Sequence, residues 1–173
     1  MEFEPGAPQR PVTKVKPLAA IDPATGLLNP HGWLAFAKRH LKRAVHSHQR
    51  LGLIFIRIQH LARRQDELGS PASHVAIQQV TESLQLLIRP GDLLGRWREE
   101  DFIVLLPYID GASVEQIAER LAQGLRKKLV ESDLSSLTVV TGGASLVVTR
   151  GELQELDHLL AESERRLVAA AAR

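Results

Sequence analysis

The run Leu51–Gln59, "LGLIFIRIQ", constrains the fold more than any other stretch of the chain. It is β-branched and aromatic, of strand length, and alternates apolar with polar residues only near its end, which is the pattern of a strand buried on both faces. Such a strand sits inside a sheet and needs cover above and below. The flanking segments offer that cover. Asn29 before Pro30 reads as an N-cap with proline at the first helical position. Trp33, Phe36, Ala37, Leu41, Ala44 and Val45 then recur at helical spacing, predicting a helix to about His48. A second helix over Pro71–Ile88 presents Val75, Ile77, Val80, Leu84 and Leu87, and Pro90-Gly91 stops it. "DLLGRW" and "DFIVLLP" read as two short strands of a hairpin joined by a charged turn. Ser113 with Gln116 forms a capping box for a third helix to about Leu129. "LTVVTGGASLVVT" is a strand region interrupted at Gly142-Gly143, and Leu153–Ala172 is a last helix. The order predicts an α/β or α+β sandwich, with a mixed central β-sheet flanked by helices.

At 173 residues and 44% hydrophobic content the chain supports one core. The first 20 residues carry four prolines and little apolar periodicity, so residues 1–20 read as a tail or linker and 21–173 as the domain. Whether that segment is a native tail or the stump of a linker to an upstream sensory domain is open at this point. A formal charge of +2 gives no argument for a nucleic-acid partner. The basic stretch Lys38–Arg50 lies on an amphipathic helix without interleaved aromatic residues, as a solvated outer face does. Without cysteine there are no disulfides, thiolate metal sites or cysteine nucleophiles. The histidines show no metal-ligand spacing, and no GxSxG elbow supports a hydrolase. The apolar runs fall well short of the roughly 20 residues of a membrane span, and no basic-then-apolar leader opens the chain. A cytoplasmic protein is the expectation.

Two strings carry more than fold information. "DPATGLLN" (Asp22 to Asn29) and "RPGDLLGRWREEDFIVLLP" (Arg89 to Pro107) resemble, in order and spacing, the opening motif and the signature turn of the GGDEF family. These are the diguanylate cyclases, which join two GTP molecules into cyclic di-GMP. The resemblance implies a nucleotide-cyclase-like fold and lays Arg98, Glu99, Glu100, Asp101 and Phe102 over the five signature letters. Two glycines there let backbone amides approach a triphosphate, and the next carboxylate helps to hold a metal. Arg98 and Glu99 put a side chain at each close-approach position, and Glu99 adds negative charge where phosphates would lie. Glu100 is acceptable as the metal carboxylate, while Asp101 replaces a longer acid. The family's DxDxF becomes Arg57, Ile58, Gln59, His60 and Leu61, so a fixed cation stands where magnesium needs an anion. The guanine-reading positions become Gln65 and His74, and a phosphate-contacting lysine becomes Ala171.

The expectation is therefore a catalytically silent domain with no magnesium or other cofactor. If Arg57 faces Glu100 on the neighbouring strand, their ion pair replaces the metal; both side chains turned to solvent is the alternative. Arg89 and Asp92 form RxxD, five residues before the turn, which matches the inhibitory product site of many cyclases. There, arginine donates to the O6/N7 edge of guanine and a carboxylate accepts from its N–H groups. A plain helix-to-strand turn explains the same two residues. The resemblance thus implies an effector that binds cyclic di-GMP and signals to a protein partner. The alternatives are a dimerisation or docking module that needs no nucleotide, and weak residual cyclase activity through Glu100 and Asp101.

Overall fold

A computed structural model describes residues 19–61, 70–109 and 113–173. Helix α1 covers Pro30–Ala44 and runs into a short 3-10 turn, Val45–Ser47. Strand β1 is Arg50–Gln59, α2 is Ser70–Leu87, β2 is Leu93–Arg96 and β3 is Asp101–Leu106. Helix α3 spans Val114–Glu131, β4 spans Thr138–Val147 and α4 spans Leu153–Ala171. The sheet order is β2-β3-β1-β4, and each of these pairings is antiparallel. Among the described residues, the mixed character expected of the sheet reduces to one parallel bridge, Leu28 to Gly95, where the opening loop runs beside β2.

Strand β1 is buried on both faces. Leu51, Leu53 and Phe55 join Trp33, Leu41, Leu156 and Leu167 in a core under α1 and α4. Ile54, Ile56 and Ile58 point the other way into a second core, with Val80 and Leu84 of α2 and Leu121 and Leu125 of α3. The two-residue period of the strand sorts its side chains between these two layers.

The caps follow the sequence. Asn29 accepts from the backbone N–H of Gly32 at 2.9 Å, with proline next in line. Ser113 and Gln116 exchange side-chain-to-backbone hydrogen bonds in a capping box. Two apolar residues lie off their expected faces. Phe36 is exposed beneath the Arg39 guanidinium, 5.2 Å from the ring centre, and Val75 also points outward. Ala76 fills the inner position that Val75 was expected to occupy, because the buried stripe of α2 runs through Ala76, Ile77, Val80 and Leu84.

The glycine pair does not interrupt a strand. β4 pairs continuously with β1 through Gly142 opposite Phe55 and Gly143 opposite Ile54. Its glycine answers a close approach: a β-carbon at Gly142 would collide with the backbone nitrogen of Leu167 and lie 2.7 Å from the carbonyl oxygen of Ser163. Helix α4 thus crosses directly on the backbone of β4.

At the start of α4, the Glu155 carboxylate closes the preceding loop. It accepts from the Thr149 backbone N–H at 2.8 Å and hydroxyl at 2.9 Å, and from the Gly151 N–H at 2.7 Å. Desolvation acts to raise its pKa, but the hydrogen bonds from Thr149, Arg150 and Gly151 outweigh it and hold the group down to about 2. A depressed folded-state pKa stabilises above the unfolded value and is lost as pH falls. This contribution should therefore be complete above about pH 5 and fade as the pH falls towards 2. Glu155→Gln should lower stability by roughly 1 kcal/mol at neutral pH, the usual scale for a lost cap. Urea titrations at pH 7 and pH 3 should show the gap between the two proteins shrinking at the lower pH.

Candidate functional site

The charged turn between β2 and β3 is closed by its own backbone. Trp97 and Arg98 donate to the carbonyl of Asp101 at 2.8 and 3.2 Å, and Asp101 donates back to Arg98 at 3.3 Å. Among the described residues, the non-glycine positions with positive φ are His48, His60 and Asp133, so neither Arg98 nor Glu99 needs glycine's conformational freedom. Side chains are accommodated here without backbone strain.

The register of β1 on β3 places Asp101, not Glu100, opposite Arg57. Arg57 grips it as a fork: Nε donates to Oδ1 at 2.7 Å and Nη2 to Oδ2 at 2.9 Å. The Asp101 side chain is 2% exposed, that of Arg57 25%. The ion pair expected of Arg57 forms with Asp101, because that is the acid in register with it across the two strands. The hydrogen bond to Asp101 raises the Arg57 pKa above its usual value; desolvation opposes it, and the charges of Asp101, Glu100 and Glu164 add to it. Arg98 extends the network, with Nη1 3.7 Å from Asp101 Oδ2 and Nη2 2.6 Å from Glu164 Oε1 on α4.

A second tie anchors the opening motif. Asp22 accepts from the Thr25 hydroxyl at 2.6 Å and faces Arg96 Nη1 at 3.3 Å. Arg96 also donates through Nη2 to the Glu99 carbonyl at 2.9 Å, while its Nε is buried with no hydrogen-bond partner among the described residues. These ties frame a cleft of about 370 Å³, with Asn29, His74, Arg96, Trp97, Arg98 and Glu99 among its walls. Trp97 is set edge-on to both Trp33 and Phe55, with ring centroids 5.8 Å apart in each pair. His74 Nε2 lies 3.0 Å from Gln78 Nε2. Gln65 lies outside the described residues, as do residues 1–18 of the tail. Ala171 ends α4.

A divalent cation does not fit this constellation. The position where it needs an anionic ligand holds a guanidinium, and the carboxylate in register with that position is already engaged by both its oxygens.

Arg89 and Asp92 come together at the turn between α2 and β2. Asp92 is directed inward, 6% exposed, and its Oδ2 accepts from the Arg89 backbone N–H at 2.9 Å. The Arg89 side chain is 51% exposed, with Nη2 3.6 Å from Asp92 Oδ1. The same Nη2 donates to the backbone carbonyl of Tyr108 at 3.0 Å. Together with Pro90, Gly91, Pro107 and Tyr108 they line a separate cleft of about 220 Å³. The sequence pointed to Arg89 and Asp92 but not to Tyr108, Asp22 or Glu164. Asp22 had a local signal in the opening motif, whereas the other two are brought in by the tertiary fold.

The profile of the diguanylate cyclase GGDEF domain matches residues 19–173. The chain belongs to the GGDEF family. It is 22% identical over 138 residues to the cyclic di-GMP phosphodiesterase NbdA of Pseudomonas aeruginosa, a match that takes in 80% of this chain and 18% of NbdA. This GGDEF chain thus spans less than a fifth of that curated relative. The isolated GGDEF domain of TpbB (YfiN) from P. aeruginosa superimposes with a TM-score of 0.70 at 23% identity, covering 87% of each chain. The GGDEF domain of DgcB from Caulobacter crescentus, solved in complex with c-di-GMP, gives 0.70 at 19% identity, covering 91% of this chain and 93% of that one. These likenesses establish the GGDEF fold and relate the chain to proteins of cyclic di-GMP metabolism. Among the described residues, no helix is long and apolar enough to cross a membrane.

Proposed function

We propose that this GGDEF domain binds cyclic di-GMP at the turn carrying Arg89 and Asp92, has no cyclase activity, and passes its occupied state to a protein partner. The observation that carries the reading is the half-exposed Arg89 guanidinium at the mouth of a cleft. A guanidinium placed there can fork onto the O6/N7 edge of guanine or onto a phosphate. The complex of the DgcB domain with c-di-GMP supports the ligand class. Loss of catalysis is supported by the Arg57–Asp101 fork and by the side chains of Arg98 and Glu99 in the turn. With a cation fixed at the metal position, no metal chemistry runs through these residues. Glu100 and Asp101 are the remaining acids of the turn, and Asp101 is committed to Arg57.

Calorimetry with cyclic di-GMP tests the reading. The parent protein should bind at tens of micromolar ligand, and Arg89→Ala should weaken binding roughly tenfold to a hundredfold, the scale of a lost charged hydrogen bond. The same preparation incubated with GTP and magnesium should accumulate no cyclic di-GMP; product that disappears on Glu100→Ala would overturn the claim of inactivity.

One observation favours a second reading. The Asp92 carboxylate serves the turn itself, as it would in a docking or dimerisation module that binds no nucleotide. Absence of heat with the parent protein would leave that module.

A further inference from the structure

We propose that Tyr108 is the stacking platform for a guanine base held at Arg89, a role that rests on the cyclic di-GMP reading above. Asp92 is nearly buried, and one of its oxygens accepts from the Arg89 backbone. Most of the work of recognition at this cleft therefore falls to side chains other than that carboxylate. Tyr108 lines the same cleft, follows Pro107, and is 50% exposed despite its size. A half-exposed aromatic ring lining the same cleft as a guanidinium is suited to a flat heterocycle, which would stack on the ring while its edge meets the arginine.

The geometry ties the two groups into one frame. Arg89 Nη2 donates to the carbonyl oxygen of Tyr108 itself, so the residue that carries the ring also orients the guanidinium. Proline at 107 restricts the backbone entering that frame. The size of the cleft points the same way. At about 220 Å³ it falls below the roughly 300–1,000 Å³ that encloses a whole drug-sized ligand, and it suits a single base with the rest of the nucleotide outside. Stacking tolerates any base because every base has a π face, whereas the arginine fork selects guanine. Tyr108 thus supplies affinity and Arg89 supplies the preference.

Calorimetry on the parent domain, Tyr108→Phe and Tyr108→Ala, each with cyclic di-GMP, reads this directly. Tyr108→Phe keeps the ring face and should bind within about twofold of the parent, whereas Tyr108→Ala should lose roughly tenfold to a hundredfold. The half-exposed ring makes both variants compatible with folding, which thermal midpoints close to the parent's should verify. A parent that binds while Tyr108→Ala binds equally well would overturn the stacking role and leave the Arg89 reading standing. Tyr108→Phe as weak as Tyr108→Ala would also overturn it, assigning the effect to the phenol oxygen. A parent that gives no heat would sink both claims together.

Discussion

Arg57→Ala should lower the stability of the domain by about 3 kcal/mol, the low end of the roughly 3–5 kcal/mol for breaking a buried ion pair from one side. The loss has a specific origin. Asp101 is 2% exposed, and Arg57 supplies a hydrogen bond to each of its oxygens. Without the guanidinium the one ion-pair partner left to that charge among the described residues is Arg98, whose Nη1 is 3.7 Å away on a half-exposed side chain. This residual cation is why the low end applies. Reversible urea unfolding at neutral pH would measure the effect. Removing both charges together, as in Arg57→Met with Asp101→Leu, should recover most of the loss, since a well-packed apolar pair often matches a buried ionic one. If Arg57→Ala shifts stability by less than about 1 kcal/mol, the fork is a solvated surface pair in disguise.

Gly142→Ala should be nearly as damaging, at about 3 kcal/mol, the upper end of ordinary overpacking. The colliding atoms belong to the backbone of α4, at Leu167 and Ser163, and no rotamer change can move them. The whole helix has to lift from β4, and Leu159 and Leu167 would lift from the core with it. The adjacent glycine is the control. A β-carbon at Gly143 meets its nearest atom in a side chain, Val114 Cγ2 at 3.2 Å, with Ile54 Cγ1 and the Leu53 carbonyl oxygen at an ordinary 3.5 Å, so Gly143→Ala should cost much less. Parallel thermal melts of the two variants would decide it; equal losses would mean that the close crossing of α4 is not what the glycine serves.

The contrast between these glycines shows where sequence reasoning runs out. Element types were legible because they rest on local chemistry: the Asn29-Pro30 start, the Ser113–Gln116 box, and the two-sided apolar run of β1. The purpose of Gly142 was not legible, because it depends on where a helix begun at Leu153 crosses the sheet. Register failed in a similar way. The change to Arg57 and the acids of the turn could all be read, but which acid meets the arginine depends on a pairing between distant strands. At the second cleft, RxxD was visible as a spacing, while Tyr108 enters through a hydrogen bond from Arg89 that reaches well along the chain. Asp92 was readable equally as ligand group and as turn residue, and what the structure adds is the hydrogen bond that its Oδ2 accepts from the Arg89 backbone N–H.

The sheet order carries a consequence for how the chain assembles. β1 is interior only because β4 covers one of its edges, and β4 follows the other three described strands in the chain. Until residues 138–147 arrive, β1 is an open edge, apolar on both faces and with unpaired amides along its length. Such an edge is a template for pairing with other chains. The late strand therefore acts as a closing clasp, and a nascent chain halted before it would leave this apolar edge open to aggregation.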